Sequence, residues 1–208
     1  TDFFCPDQAV ERSETELLCV GRASDPNKGV RSLIRALAHL PEAITLTLVD
    51  NNHPDSEVFK WAREAGVGHR LNVTGRVEAD ALVNLYRRAA VTVVPSRYEG
   101  FGLPAVESMA CGTPVVACRV GALPEVMALC EGGLLVEKDS SPALAQGVKT
   151  LLRSSDQRRE LAERARGRVE AHLSWRRVAS ATADGYAEVL AERRGRPTST
   201  ITSDRPGQ

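Results

Sequence analysis

VTVVPSRYEGFGLPAVESMA, residues 91–110, moves from an unbroken apolar run through a glycine-bearing loop into a segment opened by proline. Val91-Thr92-Val93-Val94-Pro95 has the length and β-branched content of a buried strand. Ser96 to Leu103 is the loop. Pro104 suits the first turn of a helix, where its missing N–H would have had no partner. A strand with no polar alternation is covered on both faces, which is the habit of a parallel sheet flanked by helices.

The same unit repeats on either side. The pattern predicts further strands over Leu17–Gly21, Ile44–Asp50, Leu71–Thr74, Pro114–Ala117 and Gly133–Val136. It predicts helices over Lys28–His39, with Val30, Leu33, Ile34 and Leu37 inward, over Glu57–Ala65, and over Ala79–Arg88, with Leu82, Val83 and Leu85 inward. Strands alternating with helices at this spacing imply an α/β fold, a doubly wound parallel Rossmann-like sheet. From Ser141 onward only helices appear. Asp156–Ala171 carries Leu161, Ala165 and Val169 on one face. Ser174–Leu190 follows, with Ser174 as N-cap and Trp175 as an expected buried anchor. The predicted organisation is a linker over residues 1–16, the sheet domain over 17–172, a C-terminal helix over 173–190 and a disordered tail over 191–208.

Bulk composition limits the function. Lys+Arg and Asp+Glu both number 27, so no global basic field attracts nucleic acid, and any anion site must be local. Aromatic residues are 4%, leaving aliphatic side chains and alanine to fill the core. The cysteines, Cys5, Cys19, Cys111, Cys118 and Cys130, are odd in number and irregularly spaced, which reads as reduced thiols of a cytoplasmic protein. No segment has the length of a membrane span. The chain opens on Thr1-Asp2-Phe3-Phe4 without an initiator Met or a signal peptide, and reads as a piece of something longer.

Four groups of residues cluster where strands end, the place where open α/β sheets bind ligands. Gly21-Arg22 closes the first strand and Lys28-Gly29 opens the next helix. Two cations beside a helix N-terminus suit a diphosphate, and equally fit solvated surface charges. In Glu99-Gly100-Phe101-Gly102-Leu103-Pro104, two glycines admit close approach of a ligand to the backbone, although a lone GxG is also an ordinary tight turn. Glu107 could accept from paired sugar hydroxyls, or act only as an acid near a helix start. Gly75-Arg76-Val77 could lie beside a nucleobase or be a plain turn. Asp50-Asn51-Asn52-His53 is a weaker candidate for the cleft wall. There is no GxxxxGK[ST], Gly66-Val67-Gly68 is no dinucleotide fingerprint, and His39, His53, His69 and His172 lack metal spacing.

As a set these residues are recognisable. Gly21-Arg22 with Lys28-Gly29, then PSRYEGFGLPAVESMACGTPVVA (95–117), then Gly121-Ala122-Leu123-Pro124-Glu125-Val126, closely resemble the C-terminal, donor-binding domain of retaining GT-B glycosyltransferases of family four, the group 1 transferases. The resemblance covers residues 1 to about 190. It implies that Arg22 and Lys28 bind the donor diphosphate and stabilise it as a leaving group. It implies that Glu99 accepts from donor-sugar hydroxyls, and that Gly100, Phe101, Gly102 and Leu103 present amides to sugar and phosphate. Glu107 is then the ribose acceptor, and Gly21, Arg76 and Val77 lie where the family holds the rest of the nucleotide.

The family needs no metal and no cofactor beyond its nucleotide-diphospho-sugar donor, with UDP-sugars favoured over GDP- or ADP-sugars by frequency. The resemblance also implies an N-terminal acceptor-binding domain in the same protein, with any contact to a membrane made through that half at its cytoplasmic face. Without that half, the chain is expected to bind nucleotide weakly and to transfer no sugar. The competing expectations are a non-catalytic binding module of the same fold and a GT-B epimerase.

Overall fold

The computed structural model describes residues 2–195, with side chains to residue 191. Six strands form one sheet: β1 (Glu16–Val20), β2 (Thr45–Val49), β3 (Leu71–Val73), β4 (Val91–Val94), β5 (Val115–Cys118) and β6 (Gly133–Val136). Their order is β3-β2-β1-β4-β5-β6 and every pairing is parallel. This is the doubly wound arrangement that the apolar strands predict. Leu17 and Leu18 are adjacent on β1, point to opposite faces, and are both buried, so helices cover the sheet on both sides. β4 and β5 are buried at every position.

The connecting helices are α1 (Val30–Leu37), α2 (Glu57–Glu64), α3 (Ala79–Arg88), α4 (Leu103–Ala110), α5 (Leu123–Cys130) and α6 (Ser141–Leu152). α1 packs against α2 and α6, and α4 packs against α3 and α7 (Ser155–Leu173). Each helix buries a stripe, such as Val30, Leu33, Ile34 and Leu37 on α1 and Ala162, Ala165 and Val169 on α7. Tyr86 on α3 is fully buried, a core position that the sequence reading passes over.

Strand order fixes where a ligand can sit. Chain connections from β1 run toward β2 and β3, and those from β4 run toward β5 and β6. β1 and β4 are neighbours, with Leu17 opposite Val91 and Leu18 opposite Thr92. The loops that follow them therefore diverge and leave a crevice at the carboxyl edge, the topological switch point of such sheets.

Several expectations are corrected. The helix expected over Lys28–His39 is two pieces. Asp25 accepts from the Asn27 N–H and starts a 3-10 turn, Pro26–Lys28, and Gly29 at φ 62° breaks the path before α1 begins. Trp175 is no buried anchor, since it is 81% exposed. It opens α8 (Trp175–Gly195), which packs on α7 and leaves Val178, Tyr186, Val189 and Leu190 exposed. Ser174 does cap that helix, accepting from the Arg177 N–H at 3.4 Å. Residues 191–195, expected as tail, continue α8, and the remainder of the expected tail, 196–208, lies outside the described residues. The expected domain limit at residue 172 falls within α7, which runs through Leu173. The segment expected as the linker is docked on the domain: Arg166 donates to the Phe4 carbonyl at 2.9 Å and Arg87 to the Cys5 carbonyl at 2.7 Å. No described helix is long and apolar enough to cross a membrane.

Burial separates two apolar positions. Leu48→Ala, at a fully buried site on β2, is expected to cost about 2–5 kcal/mol. Trp175→Ala in this chain is expected to change stability by less than about 0.5 kcal/mol. Urea melts of the two variants check the contrast.

Candidate functional site at the β1–β4 crevice

The loop after β1 holds Gly21, Arg22 and Lys28. Its path is fixed by Asp50 at the end of β2, whose carboxylate accepts from the Ala23 N–H at 2.7 Å and from the Asn51 N–H at 2.6 Å. Asp50, weighed as a cleft residue, is thus occupied in holding this loop. The Lys28 stem passes beside Gly21, where a Cβ would meet Lys28 Cγ at 3.5 Å, an ordinary contact. Lys28 Nζ reaches across the crevice to Glu99 Oε2 at 3.0 Å. The Ser96 hydroxyl donates to the same oxygen at 3.1 Å.

Glu99 is fixed by its backbone as well. Its carbonyl accepts from the Ala122 N–H at 3.0 Å. Gly121, at φ 51°, approaches so closely that a Cβ would lie 2.0 Å from that carbonyl oxygen. The loop after β4 is also tied to the 3-10 turn, the Arg97 N–H donating to the Asn27 carbonyl at 2.7 Å. Gly29 belongs to the same joint, its missing Cβ 1.9 Å from the Pro95 carbonyl oxygen. Three loops, after β1, β4 and β5, are locked together around one carboxylate.

Beyond Glu99 the backbone changes character. Among the described residues, the amides of Gly100, Phe101, Gly102 and Leu103 donate to no protein acceptor. Gly102 takes φ 95° and caps α4 without a side-chain bond. Four consecutive N–H groups at a helix start form an electropositive edge that favours an anion or an oxygen-rich ligand. Glu107 lies farther along α4, half-buried, with Oε2 accepting from the Tyr86 hydroxyl at 2.9 Å. Burial raises its pKa above the usual carboxylate range, and the Tyr86 bond opposes that rise.

Arg22 is exposed and, among the described residues, its side chain has no ion pair or hydrogen bond. Arg76 and Val77 follow Gly75, at φ 78°, on the same carboxyl edge. They follow β3, which is two strands from β1 and so about 10 Å along the sheet. The structure therefore gathers Gly21, Lys28, Glu99, Gly100, Phe101, Gly102, Leu103 and Glu107 on the loops and helix flanking the crevice, with Arg22 on the rim and Arg76-Val77 on the flank. Sequence reasoning misses Tyr86 and Ser96. A tyrosine at helical spacing reads as core, and only its need for a hydroxyl partner once buried hints at more.

The thiols are quiet. All five are unpaired, and burial pushes Cys19 and Cys111 up to about 12 and Cys118 and Cys130 up to about 11.

The family model for glycosyl transferases group 1 matches residues 5–168. The chain belongs to this family. Among curated group 1 relatives, the MMP α-(1→4)-mannosyltransferase of Mycolicibacterium hassiacum is 35% identical over 183 residues, covering 86% of this chain and 44% of that protein. The chain thus spans about half the length of the curated relatives it matches. Among solved structures, the sucrose-phosphate synthase of Thermosynechococcus elongatus superposes with a TM-score of 0.82 at 33% identity, over 92% of this chain and 51% of that one. The C-terminal domain of a group 1 glycosyl transferase protein, LpcC, from Francisella tularensis superposes with a TM-score of 0.72 at 25% identity, over 84% of this chain and 97% of that one. The fold is that of the GT-B transferases, and the resemblance drawn from the motifs holds at the level of family and fold.

The locked loops make a prediction. Gly121→Ala is expected to cost about 1–3 kcal/mol, because the new Cβ meets backbone rather than a movable side chain. Gly68→Ala, with nothing within 4 Å, should stay within about 0.5 kcal/mol. Thermal melts of both group 1 transferase variants measure the difference.

Proposed function

We propose that this chain binds a nucleoside diphosphate sugar in the β1–β4 crevice, and that the whole protein transfers the hexosyl group to an acceptor with retention at the anomeric carbon. The observation that carries the reading is the row of four idle amides, Gly100 to Leu103, beside the Lys28–Glu99 pair at the switch point. Donors already fixed in place need no reorganisation when charge develops on a ligand, which is what stabilising a departing diphosphate requires.

In this reading the diphosphate lies over the loop after β1, between Arg22, Lys28 and the amide row. Breaking the anomeric C–O bond moves negative charge onto it. Cations and N–H donors then stabilise the transition state more than the ground state, and no divalent metal is called for. Glu99, held in one orientation by Lys28 and Ser96, accepts from sugar hydroxyls. Glu107 offers Oε1 to the ribose, and Arg76-Val77 flank the base. UDP is the proposed nucleotide. The acceptor side is assigned to an N-terminal half of the same protein and the reaction to the cytoplasm. The mannosyltransferase relative, named for transfer of a hexose, supports the hexosyl class.

Calorimetry with UDP and UDP-glucose tests the division of labour. Glu107→Ala is expected to weaken both ligands, and Glu99→Ala to spare UDP while weakening the nucleotide-sugar. Equal losses in the two variants would remove the assignment. In the full-length protein, Arg22→Ala or Lys28→Ala is expected to slow transfer about 10- to 100-fold, the loss of one hydrogen bond to a charged group worth about 1.5–3 kcal/mol. Initial-rate assays with a radiolabelled donor measure it.

A further inference from the structure

We propose that Tyr86 is a positioning residue of this site: its buried hydroxyl fixes one oxygen of Glu107 and leaves the other turned out for ribose. The proposal rests on the reading of Glu107 as the ribose acceptor.

The phenol has little freedom. Tyr86 is fully buried, in a cluster with Leu18, Val83, Ala89 and Cys111. Phe4 packs on its ring edge-on, with centroids 6.1 Å apart and planes at 70°. Its own carbonyl accepts from the Thr113 hydroxyl at 2.6 Å, and Arg12 donates to that hydroxyl at 2.8 Å. A ring held from both sides cannot follow a wandering carboxylate, so the carboxylate must come to the ring. The hydroxyl has one partner among the described residues, Glu107 Oε2 at 2.9 Å. Oε1 of Glu107 accepts from no group among the described residues. A half-buried carboxylate with one oxygen fixed and one idle is prepared for hydroxyl donors brought by a ligand.

The bond also favours the charged form of Glu107 against the burial that opposes it. The groups around this pair are Cys111 at the end of α4 and Cys19 on β1, with Arg87 and Arg166 beside Cys111. Burial holds both thiols at about 12 and lifts Tyr86 well above its ordinary range, so all three stay neutral between pH 5 and 8. Burial raises the Glu107 pKa and the Tyr86 bond opposes that rise. The charged form of Glu107 is present above its pKa and lost as pH falls. Removing the Tyr86 hydroxyl raises that pKa, so binding should fail at a higher pH.

The test is calorimetric binding of UDP, GDP and ADP to the 208-residue chain from pH 5 to 8. Tyr86→Phe keeps the ring and is expected to weaken the bound nucleotide about 3- to 10-fold at pH 7.5, with the acid limb of the profile shifted upward. In a Glu107→Ala background the same change should alter affinity less than twofold. Glu107→Gln keeps an oxygen for Tyr86 and leaves the titration of the nucleotide's own terminal phosphate as the baseline against which the shift is read. Tyr86→Phe binding like wild type, equal losses in both backgrounds, or an acid limb that Tyr86→Phe leaves where it is in wild type would each overturn the positioning role. Unchanged affinity in Glu107→Ala would instead overturn the ribose assignment. Failure of all three nucleotides to bind the wild-type chain at millimolar concentration would overturn the site as a whole.

Discussion

The ion pair between Lys28 and Glu99 joins two crossovers that leave the sheet in opposite directions, and the geometry of the crevice depends on that junction. Left alone, diverging loops would gape. Here a charge-assisted bond at 3.0 Å spans them, the Arg97–Asn27 backbone bond reinforces it, and Gly29 and Gly121 let backbone meet backbone without an intervening side chain. The partners are 28% and 12% exposed, so water weakens the pair less than it would on an open surface. The amide row that follows Glu99 inherits its placement from this lock.

The chain carries no net charge, yet the crevice has a definite electrostatic character. It arises from short-range arrangement. Backbone dipoles at the start of α4 and the Lys28 ammonium lie at the carboxyl edge of β1 and β4, with Arg22 exposed on the rim. Two carboxylates on the same side each have an oxygen bound by protein, Glu99 by Lys28 and Ser96, Glu107 by Tyr86. Cationic and dipolar groups suit phosphate, and partly satisfied carboxylates suit hydroxyls.

The sheet was legible because β4 and β5 have no polar alternation and because each apolar run is followed by an amphipathic one. Glu99, Gly100, Gly102 and Glu107 stood out through their likeness, as a set, to the family's motifs; singly, each also read as a tight turn or an acid near a helix start. What stayed hidden depended on tertiary contact. Gly29 looks like any helix-starting glycine until the Pro95 carbonyl is seen against it. Tyr86 looks like core filler until its hydroxyl meets a carboxylate far away in the sequence. Trp175 misled for the converse reason: size and hydrophobicity argue for burial, but α8 packs on α7 with this side chain left 81% exposed. The 3-10 turn at Pro26–Lys28 was missed because a proline and a cap two residues earlier compete with a helical stripe that begins in earnest at Val30.

The two indoles of the chain sit in opposite settings. Trp61, half-buried on α2, has the Arg31 guanidinium 5.7 Å above its ring, while Trp175 stands in water. Their emission therefore reports on different things. The exposed indole is expected to emit to the red already in the folded chain and to change little on denaturation, leaving most of the spectral response to the half-buried one. An optical record of this domain is in effect a record of the wall formed by α1 and α2, beside the loop that bears Lys28.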